Sequence, residues 1–402
     1  MLLEMCRHAN SLANVAEWHI RHYRERTGKH LSYEKNCRIS KHNPNYKMLQ
    51  AQVAQQRLKR QEQKHRAFFG LLRAKKAGTY SGDVNPPRYR KKGGYDNLYI
   101  SGKYVIERGD CIAVPMSREF RKKHSGEEVL IPIPPDVRGK KIHEVQIVPE
   151  RDGSFLDVIF IYEMPDAPEK PLNEDKILSL DPGLDNFVTG VCTDGTTFII
   201  DGRKIKSINQ WYNKQKAQRQ SELPEGKHWS RFLTCITRKR ENRLRDFMHK
   251  AGSEVVRQAL LHDCGTVVIG ASKGQKQNIC LGAVVNQSFV QIPHAKFRAI
   301  LACKCARAGI RFIEQEESYT SKASALDGDY IPTWQSRYTV NYVFAGKRVK
   351  RGLYRSANGT LINADVNGAL NIARKSKQNG RLPKTARLCS GVLDTPVRIG
   401  MP

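Results

Sequence analysis

Apolar residues recur at helical spacing through the first 78 residues of the chain. The run that begins at Leu2 and the longer run over residues 46–76 each place apolar side chains three or four positions apart, as amphipathic helices do. The polar positions of the second run are rich in Gln, Lys and Arg. The pattern therefore predicts a helical segment over residues 1–78 with a basic helix face.

The pattern changes to short apolar runs separated by turn residues over residues 79–165. A basic loop with interspersed aromatic residues opens this part of the chain. The apolar runs lie at 98–100, 104–106, 112–114, 129–133, 142–148 and 156–162. Such spacing predicts a small β-barrel or sandwich. Proline and acidic residues then predict a linker over residues 166–175.

Strands and helices alternate over residues 176–378, which predicts an α/β sheet. The predicted strands lie at 177–180, 187–191, 197–200, 267–269 and 310–313, and the predicted helices at 204–221, 227–262 and 290–308. The last part of the chain, residues 379–402, has no strong pattern and is expected to form a flexible tail. The expected fold class is therefore multi-domain, α+β followed by α/β.

The charge balance indicates a polyanionic partner. The 402 residues carry a formal net charge of +30, while 39% of them are hydrophobic, enough for globular cores. A charge this large exceeds what solubility requires and favours nucleic acid as the partner. The alternative is a basic surface without a partner.

Cysteine usage and hydropathy restrict the cellular setting. The ten cysteines form no Cys-x-x-Cys pair, and several lie in apolar runs, which favours a reduced, intracellular protein. The sequence shows no apolar stretch long enough to span a membrane, and its first residues are not typical of a signal peptide. No membrane partner is expected.

Two aspartates are candidates for metal chemistry. Asp181 ends the apolar run 177–180 and precedes a Pro-Gly turn, and Asp365 stands at the start of a predicted helix. An ordinary turn residue and an ordinary helix cap would explain them equally well. Alternatively, the two carboxylates converge on one divalent-metal site, as phosphodiester hydrolysis requires. These residues alone leave both explanations open.

Six stretches of the chain together resemble the TnpB family of transposon-encoded proteins. Residues 176–189 (KILSLDPGLDNFVT) and 359–374 (GTLINADVNGALNIAR) are similar to the first and third motifs of the RuvC nuclease domain. The stretches between them that resemble one TnpB subgroup are 267–278, 286–293, 316–324 and 346–355. The resemblance covers nearly the whole chain, in the expected order. TnpB proteins are RNA-guided DNA endonucleases related to the type V CRISPR effectors.

The resemblance implies a role for each part of the chain. Residues 1–78 correspond to a helical recognition lobe, residues 79–165 to a β-barrel wedge domain that grips the guide RNA, and residues 176–378 to a RuvC-like (RNase H-like) α/β nuclease domain. The family has a β-strand before the first helices. This chain has none there, which suggests an N-terminal truncation or an internal start.

The resemblance also implies a two-metal site with Mg²⁺ or Mn²⁺ as cofactor, since carboxylate oxygens suit these ions. Asp181 and Asp365 match the family's first and third acidic positions. Most of the family has a glutamate where this chain has Gly270. We expect a relocated glutamate, Glu317 or Glu316, and only one of the two, because neighbours on an extended chain point to opposite faces. The alternative is a site with two carboxylates.

A zinc ribbon found in many TnpB proteins is missing here. Residues 318–361 contain no cysteine, so we expect no zinc and a zinc-free insert that contacts nucleic acid through phosphates. The residues expected to bind nucleic acid are Arg57, Arg60, Arg88, Arg90, Lys91, Arg238, Arg243, Lys273, Lys276, Lys322, Lys347, Arg348 and Arg351.

The expected function is RNA-guided DNA cleavage for a transposable element. The resemblance implies a guide RNA from the transposon end, a double-stranded DNA target with a short flanking motif, and a protein monomer with RNA in the prokaryotic cytoplasm, bound to the nucleoid through DNA. One alternative is an RNA-guided DNA-binding protein with a decayed nuclease, which Gly270 favours and the two aspartates oppose. Another is a transposition or recombination enzyme that acts without RNA.

Overall fold

The computed structural model describes residues 1–164, 172–271, 292–333, 341–376 and 395–401. The chain divides into two compact units, Met1–Pro165 and Asp166–Pro402. Within the described ranges, no helix is long and apolar enough to cross a membrane. Residues 166–171 of the predicted linker lie outside the described residues.

Four helices open the first unit, and they confirm the helical pattern of the N-terminal segment. They are α1 (Leu2–Thr27), α2 (Tyr33–Ser40), α3 (Pro44–Lys47) and α4 (Ala51–Lys76). Helix α1 ends at Gly28, whose φ of 67° gives the left-handed conformation that glycine adopts without strain.

Short strands follow and pair as two antiparallel sheets. They are β1 (Leu98–Ser101), β2 (Ile106–Arg108), β3 (Cys111–Ala113), β4 (Leu130–Pro132), β5 (Ile142–Glu150) and β6 (Phe155–Tyr162), with α5 (Arg118–Lys123) between β3 and β4. The strand orders are β1-β5-β6 and β2-β3-β4. Of the run predicted as a strand at 104–106, Tyr104 ends a 3₁₀ turn, Gly102–Tyr104, and only Ile106 belongs to a strand, β2.

The helices and strands of the first unit share one hydrophobic core. Leu12 of α1 and Leu58 of α4 belong to the same buried cluster as Val145 of β5 and Phe120 of α5. The boundary predicted at residue 78 therefore separates helices from strands but not one core from another.

A buried carboxylate ties α1 to α4. Glu17 is 1% exposed and accepts hydrogen bonds from Gln61 (2.6 Å), Arg21 (2.7 Å) and His65 (2.8 Å). Burial alone would raise the pKa of Glu17, but these donors outweigh it and lower the pKa to about 2. Glu17 is therefore ionised at neutral pH and holds the two helices in register.

The basic loop after α4 is fixed onto α1 through its backbone. Asn14 accepts from the Arg90 backbone N–H (2.7 Å) and donates to the Arg90 carbonyl (3.1 Å), while Asn10 donates to the Lys91 carbonyl (3.0 Å). Because the backbone is anchored, the loop presents the exposed side chains of Arg88 and Lys91 from a defined position.

The second unit contains a six-stranded mixed sheet, a small three-stranded sheet and four described helices. The strands are β7 (Asn173–Pro182), β8 (Asn186–Cys192), β9 (Thr197–Asp201), β10 (Cys264–Ala271), β11 (Arg311–Glu316), β12 (Lys347–Lys350), β13 (Leu353–Arg355), β14 (Leu361–Asn363) and β15 (Val397–Ile399). The helices are α6 (Arg203–Ser221), α7 (Arg231–Leu261), α8 (His294–Arg307) and α9 (Ala364–Lys375).

The large sheet has the strand order β11-β10-β7-β8-β9-β15. Strands β7, β10 and β11 are parallel, whereas β8 is antiparallel to both β7 and β9. Every residue of β10 is buried, as expected for a strand covered on both faces. Because β7, β10 and β11 are parallel, their carboxyl ends lie at one edge of the sheet.

Helices cover both faces of this sheet. Phe247 of α7 and Phe297 of α8 pack with Leu178 and Leu180 of β7 in the larger core. A smaller apolar cluster, which includes Leu370 of α9, covers the opposite face. The alternation along β7 thus buries Leu178 and Leu180 against α7 and α8. It turns Ser179 and Asp181 toward α9.

Two boundary predictions are wrong in part. Strand β7 begins at Asn173, so residues 173–175 belong to a strand rather than to the predicted linker. Val397–Ile399 of the predicted tail pair in parallel with β9. An open edge of β9 would leave backbone hydrogen-bonding groups unpaired, and a three-residue strand is too short to show a pattern in the sequence. Residues 379–394 of that tail lie outside the described residues.

Candidate metal centre

Asp181 stands at the carboxyl end of the central strand, directly under helix α9. It pairs with Thr189 across β7 and β8. Gly368 of α9 faces it so closely that a Cβ on this glycine would lie 2.5 Å from Asp181 Oδ2. The Ser179 hydroxyl donates to the Ala369 carbonyl (2.6 Å) and fixes the helix to the strand. Glycine at position 368 thus allows the helix to approach the carboxylate.

Asp365 comes to the same place from the first turn of α9. The cap itself is Asn363, whose side chain accepts from the backbone N–H groups of Asp365 (3.0 Å) and Val366 (3.3 Å). The Asp365 carboxylate instead accepts from Asn186 Nδ2 (2.6 Å), and Arg348 lies 3.9 Å from its other oxygen. The capping explanation for Asp365 therefore does not describe its side chain.

Glu317 completes the group from the end of β11. In the parallel register, Gly270 lies opposite Gln315, two residues before Glu317. A Cβ at Gly270 would run into Glu317 Oε2 and lie 2.8 Å from Ile372 Cδ1. The glycine in β10 therefore leaves the space that the Glu317 side chain occupies.

Glu316 points elsewhere, toward the carboxyl end of α9. Its oxygens accept from Lys375 Nζ (2.5 Å) and from the Ser318 backbone N–H (2.6 Å). Burial opposes its ionisation, but these two donors prevail and hold the pKa of Glu316 below its usual value. Of the two candidate glutamates, the structure thus brings Glu317 and not Glu316 to Asp181.

The three carboxylates repel one another. The pKa of Asp181 is raised well above its usual value, first by burial of the carboxylate and then by the charges of Asp365 and Glu317. Arg348 opposes this shift only in part. A cluster of carboxylate oxygens with this excess of negative charge suits a hard divalent cation such as Mg²⁺ or Mn²⁺.

Two asparagines of α9 hold the segment that follows Glu317. Asn371 donates to the carbonyls of Thr320 (2.9 Å) and Ala323 (2.7 Å), and Asn367 donates to the Ala323 carbonyl (2.8 Å). Both asparagine side chains are buried. The helix that carries Asp365 therefore also fixes the chain on which Glu317 lies.

Sequence reasoning missed Asn186, Gly368, Asn367 and Asn371. The last two had a visible signal, since they are amides spaced four residues apart within the otherwise apolar stretch 366–373, and such residues must find buried partners. Asn186 and Gly368 act through contacts with residues distant in sequence, which no local pattern reports.

The basic residues of the second unit that were predicted to bind nucleic acid differ in their exposure and contacts. Lys322, Lys347, Arg348 and Arg351 are exposed, and Arg351 is ion-paired with Asp185. On α7, Arg238 is partly exposed, while the Arg243 guanidinium lies 5.4 Å from the centre of the Trp211 ring. Lys273 and Lys276 lie outside the described residues.

In the first unit the prediction for Arg57 is wrong. Arg57 is 2% exposed and ion-paired with Asp96 at 2.7 Å, so its guanidinium stabilises the core instead of facing a phosphate. Arg90 pairs with the same aspartate (2.6 Å), and Arg60 donates to both oxygens of Glu144. The helical pattern placed Arg57 on the polar face because it could not show that Asp96 would cover it.

We predict opposite stability effects for two neutralising substitutions. The raised pKa of Asp181 means that its ionisation costs the folded protein free energy as pH rises above the ordinary carboxylate range. Asp181→Asn should therefore raise the free energy of unfolding at pH 7 in a chelator, and this gain should vanish near pH 4, about the unfolded pKa.

Glu316→Gln is the matched comparison. Its lowered pKa means that ionised Glu316 stabilises the fold, so the substitution should cost about 1 kcal/mol at neutral pH for this partly exposed group. Thermal and denaturant unfolding across pH measure both effects. Destabilisation by Asp181→Asn at pH 7 would contradict the crowding of charge at the site.

Two family models match stretches of this chain. A family model described as a probable transposase, OrfB_IS605, matches residues 159–275, and a model of the Cas12f1-like TNB domain matches residues 294–372. No curated protein matches the chain significantly.

Among solved structures, a Cas12f1–sgRNA–target DNA complex contains a chain with a TM-score of 0.57 and 12% sequence identity. The match covers 92% of this chain and 80% of that chain. A CRISPR-Cas12f ternary complex, with 12% identity and the same coverage, has a TM-score of 0.35 and adds nothing about the fold. The two family models thus confirm the resemblance of this chain to TnpB-like proteins and type V effectors, and the solved structure shows a shared fold.

Proposed function

We propose that this protein is an RNA-guided DNA endonuclease of a transposable element, with a RuvC-like (RNase H-like) active site in its second unit. The observation that carries the proposal is the convergence of Asp181, Glu317 and Asp365. These residues come from three separate stretches of the chain, yet their carboxylates act on one another at one end of the sheet.

The sheet supports the RuvC-like assignment. A parallel group, β7, β10 and β11, is joined to an antiparallel pair, β8 and β9, and the acidic residues lie at the carboxyl ends of β7 and β11. Ligand sites in open α/β sheets form outside the carboxyl ends of parallel strands. Helix α9 adds its N-terminal turn at the same edge.

The carboxylates fit Mg²⁺ or Mn²⁺. A bound pair of such ions would supply an activated water and stabilise the leaving oxygen of the phosphodiester. Asp181, Glu317 and Asp365 would be the protein ligands. The raised pKa of Asp181, caused by burial and by the neighbouring carboxylates, means that a bound cation would favour its ionised form.

Two neighbours prepare the site. The hydrogen bond from Asn186 orients the Asp365 carboxylate, as outer-shell partners orient metal ligands. Arg348 lies on the exposed strand β12, with its guanidinium 3.9 Å from Asp365. There it would contact a phosphate of the bound strand.

The nucleic-acid partners follow from charge and from the family. The net charge of +30 suits an RNA and a DNA strand together, and the Cas12f1 chain of similar fold was solved with an sgRNA and target DNA. We propose that the first unit combines a recognition lobe and a wedge domain that hold the guide RNA. Base pairing would then supply sequence specificity, with the protein reading backbone shape and a short flanking motif.

The insert at residues 318–361 overlaps the match to the Cas12f1-like TNB domain. Its described part carries exposed cations on β12 and on the turn before β13. These side chains would contact phosphates near the active site. A decayed nuclease is the less favoured function. Its main support was Gly270, which stands where most of the family has a glutamate, but Glu317 occupies the space beside this glycine.

We predict that the two adjacent glutamates differ in cleavage. Glu317→Gln should lower the rate of DNA cleavage by more than the about 10- to 100-fold typical of losing an outer-shell partner, because it removes a ligand and its charge. Glu316→Gln, the matched control, should cut near the wild-type rate. The measurement is plasmid cleavage with Mg²⁺ at equal occupancy of guide RNA. Normal cutting by Glu317→Gln would refute the relocated glutamate.

We also predict that the protein purifies with a bound RNA and cuts a specific target only with it. A charge of +30 repels itself unless a polyanion neutralises it. The experiment sequences the co-purifying RNA, strips it, verifies the fold, and offers a plasmid target with and without the RNA restored. Sequence-specific cutting by RNA-free protein would instead favour a recombination enzyme that acts without a guide.

A further inference from the structure

A second cluster of metal-binding side chains lies nearer the amino end of β7, away from the carboxyl-end site. Cys192 ends β8, and Cys264 begins β10. Cys192 pairs with Leu178, three residues before Asp181 on β7, so the two places are about 10 Å apart along the strand. The cluster is thus distinct from the three carboxylates.

Three side chains of suitable chemistry meet there, and a fourth, Cys264, lies next to Cys192. Cys192 Sγ, a ring nitrogen of His262 and a carboxylate oxygen of Asp194 all lie within 4.8 Å of one another. His262 Nδ1 and Asp194 Oδ2 are 2.6 Å apart. The Cys264 thiol lies beside that of Cys192, and its Sγ donates to the His262 carbonyl (3.7 Å). Both cysteines are fully buried, His262 is partly buried and Asp194 is exposed.

The local backbone fixes each of these residues. The turn after β8 closes with the Cys192 N–H donating to the Thr196 carbonyl (2.9 Å). Asp194 is held in this turn because its Oδ1 accepts from the Thr196 N–H (2.8 Å). On the other side, His262 caps α7, and a positive φ of 54° at Asp263 turns the chain into β10. Two chain reversals thus present ligands to each other.

We propose that Cys192, Asp194, His262 and Cys264 form a structural site for a thiophilic divalent cation of the Zn²⁺ class. Thiolate, imidazole and carboxylate are the groups that zinc takes in tetrahedral sites, at about 2.0–2.3 Å. The ligand atoms of Cys192, Asp194 and His262 lie within 4.8 Å of one another, and small side-chain rotations would bring them to such distances. Cys264, beside Cys192, would supply the fourth ligand. Thiolates suit zinc rather than Mg²⁺, so the two sites would select different ions.

The proposed ion would clamp the turn after β8 to the connection between α7 and β10. Four protein ligands leave no open position, which is the mark of a structural and not a catalytic zinc site. The sequence predicted no zinc because residues 318–361 contain no cysteine and the chain has no Cys-x-x-Cys pair. Here the ligands come as two pairs, Cys192 with Asp194 and His262 with Cys264. The pairs are about 70 residues apart in the sequence and meet only through the sheet.

The test is a Co²⁺ titration of the full-length protein after reduction and removal of metals. We expect about one equivalent of Co²⁺ to give a thiolate-to-metal charge-transfer band in the near ultraviolet, which Zn²⁺ then displaces. Carboxylates cannot produce this band, so binding at Asp181 does not interfere. Zinc should also raise the melting temperature of the metal-free protein.

Variants assign the site. His262→Asn and Cys192→Ser should each weaken Co²⁺ binding at least about tenfold, while Cys303→Ser, an exposed thiol of α8, should leave it unchanged. His262 is near the surface, so its variant stays informative if Cys192→Ser fails to fold. The proposal is overturned by absence of the band in the reduced protein, by its persistence in both variants, or by a Cys192–Cys264 disulfide that forms in preference to metal binding.

Discussion

Mutual repulsion between three carboxylates is the constraint around which the second unit is built. Asp181, Glu317 and Asp365 are close enough that the latter two raise the pKa of the first, and such crowding is unfavourable unless a cation compensates it. The rest of the unit resists it with hydrogen bonds: Ser179 holds α9 to β7, and the buried asparagines of α9 hold the segment after Glu317. A bound metal ion would relieve this repulsion.

Moving an acidic residue from one strand to its neighbour requires a matching gap. In a parallel pair the two strand ends lie side by side, so a side chain from the end of β11 can reach the space beside β10. That space exists because position 270 is glycine, and a Cβ there would meet the Glu317 carboxylate. The position of the Glu317 carboxylate therefore depends on the glycine at position 270.

Sequence reasoning found what local patterns and motifs can carry. Helical periodicity located α1, α4, α6 and α7, and the motifs located Asp181 and Asp365. The sequence left two adjacent candidates, Glu316 and Glu317, for the third acidic residue of the site. The choice between them depends on Lys375, which lies on another element and pairs with Glu316. The prediction that Arg57 binds nucleic acid was wrong for the same reason, since its partner Asp96 lies in a loop distant in sequence. Tertiary contacts decide these cases, and a linear pattern contains none of them.

The most direct test of the relocated site is anomalous diffraction from crystals of the protein with Mn²⁺ bound. The account predicts Mn²⁺ coordinated by oxygens of Asp181, Asp365 and Glu317, with two ions about 4 Å apart when nucleic acid is present. Glu316 should remain paired with Lys375. Mn²⁺ held by Glu316, or by the two aspartates with Glu317 turned away, would contradict it.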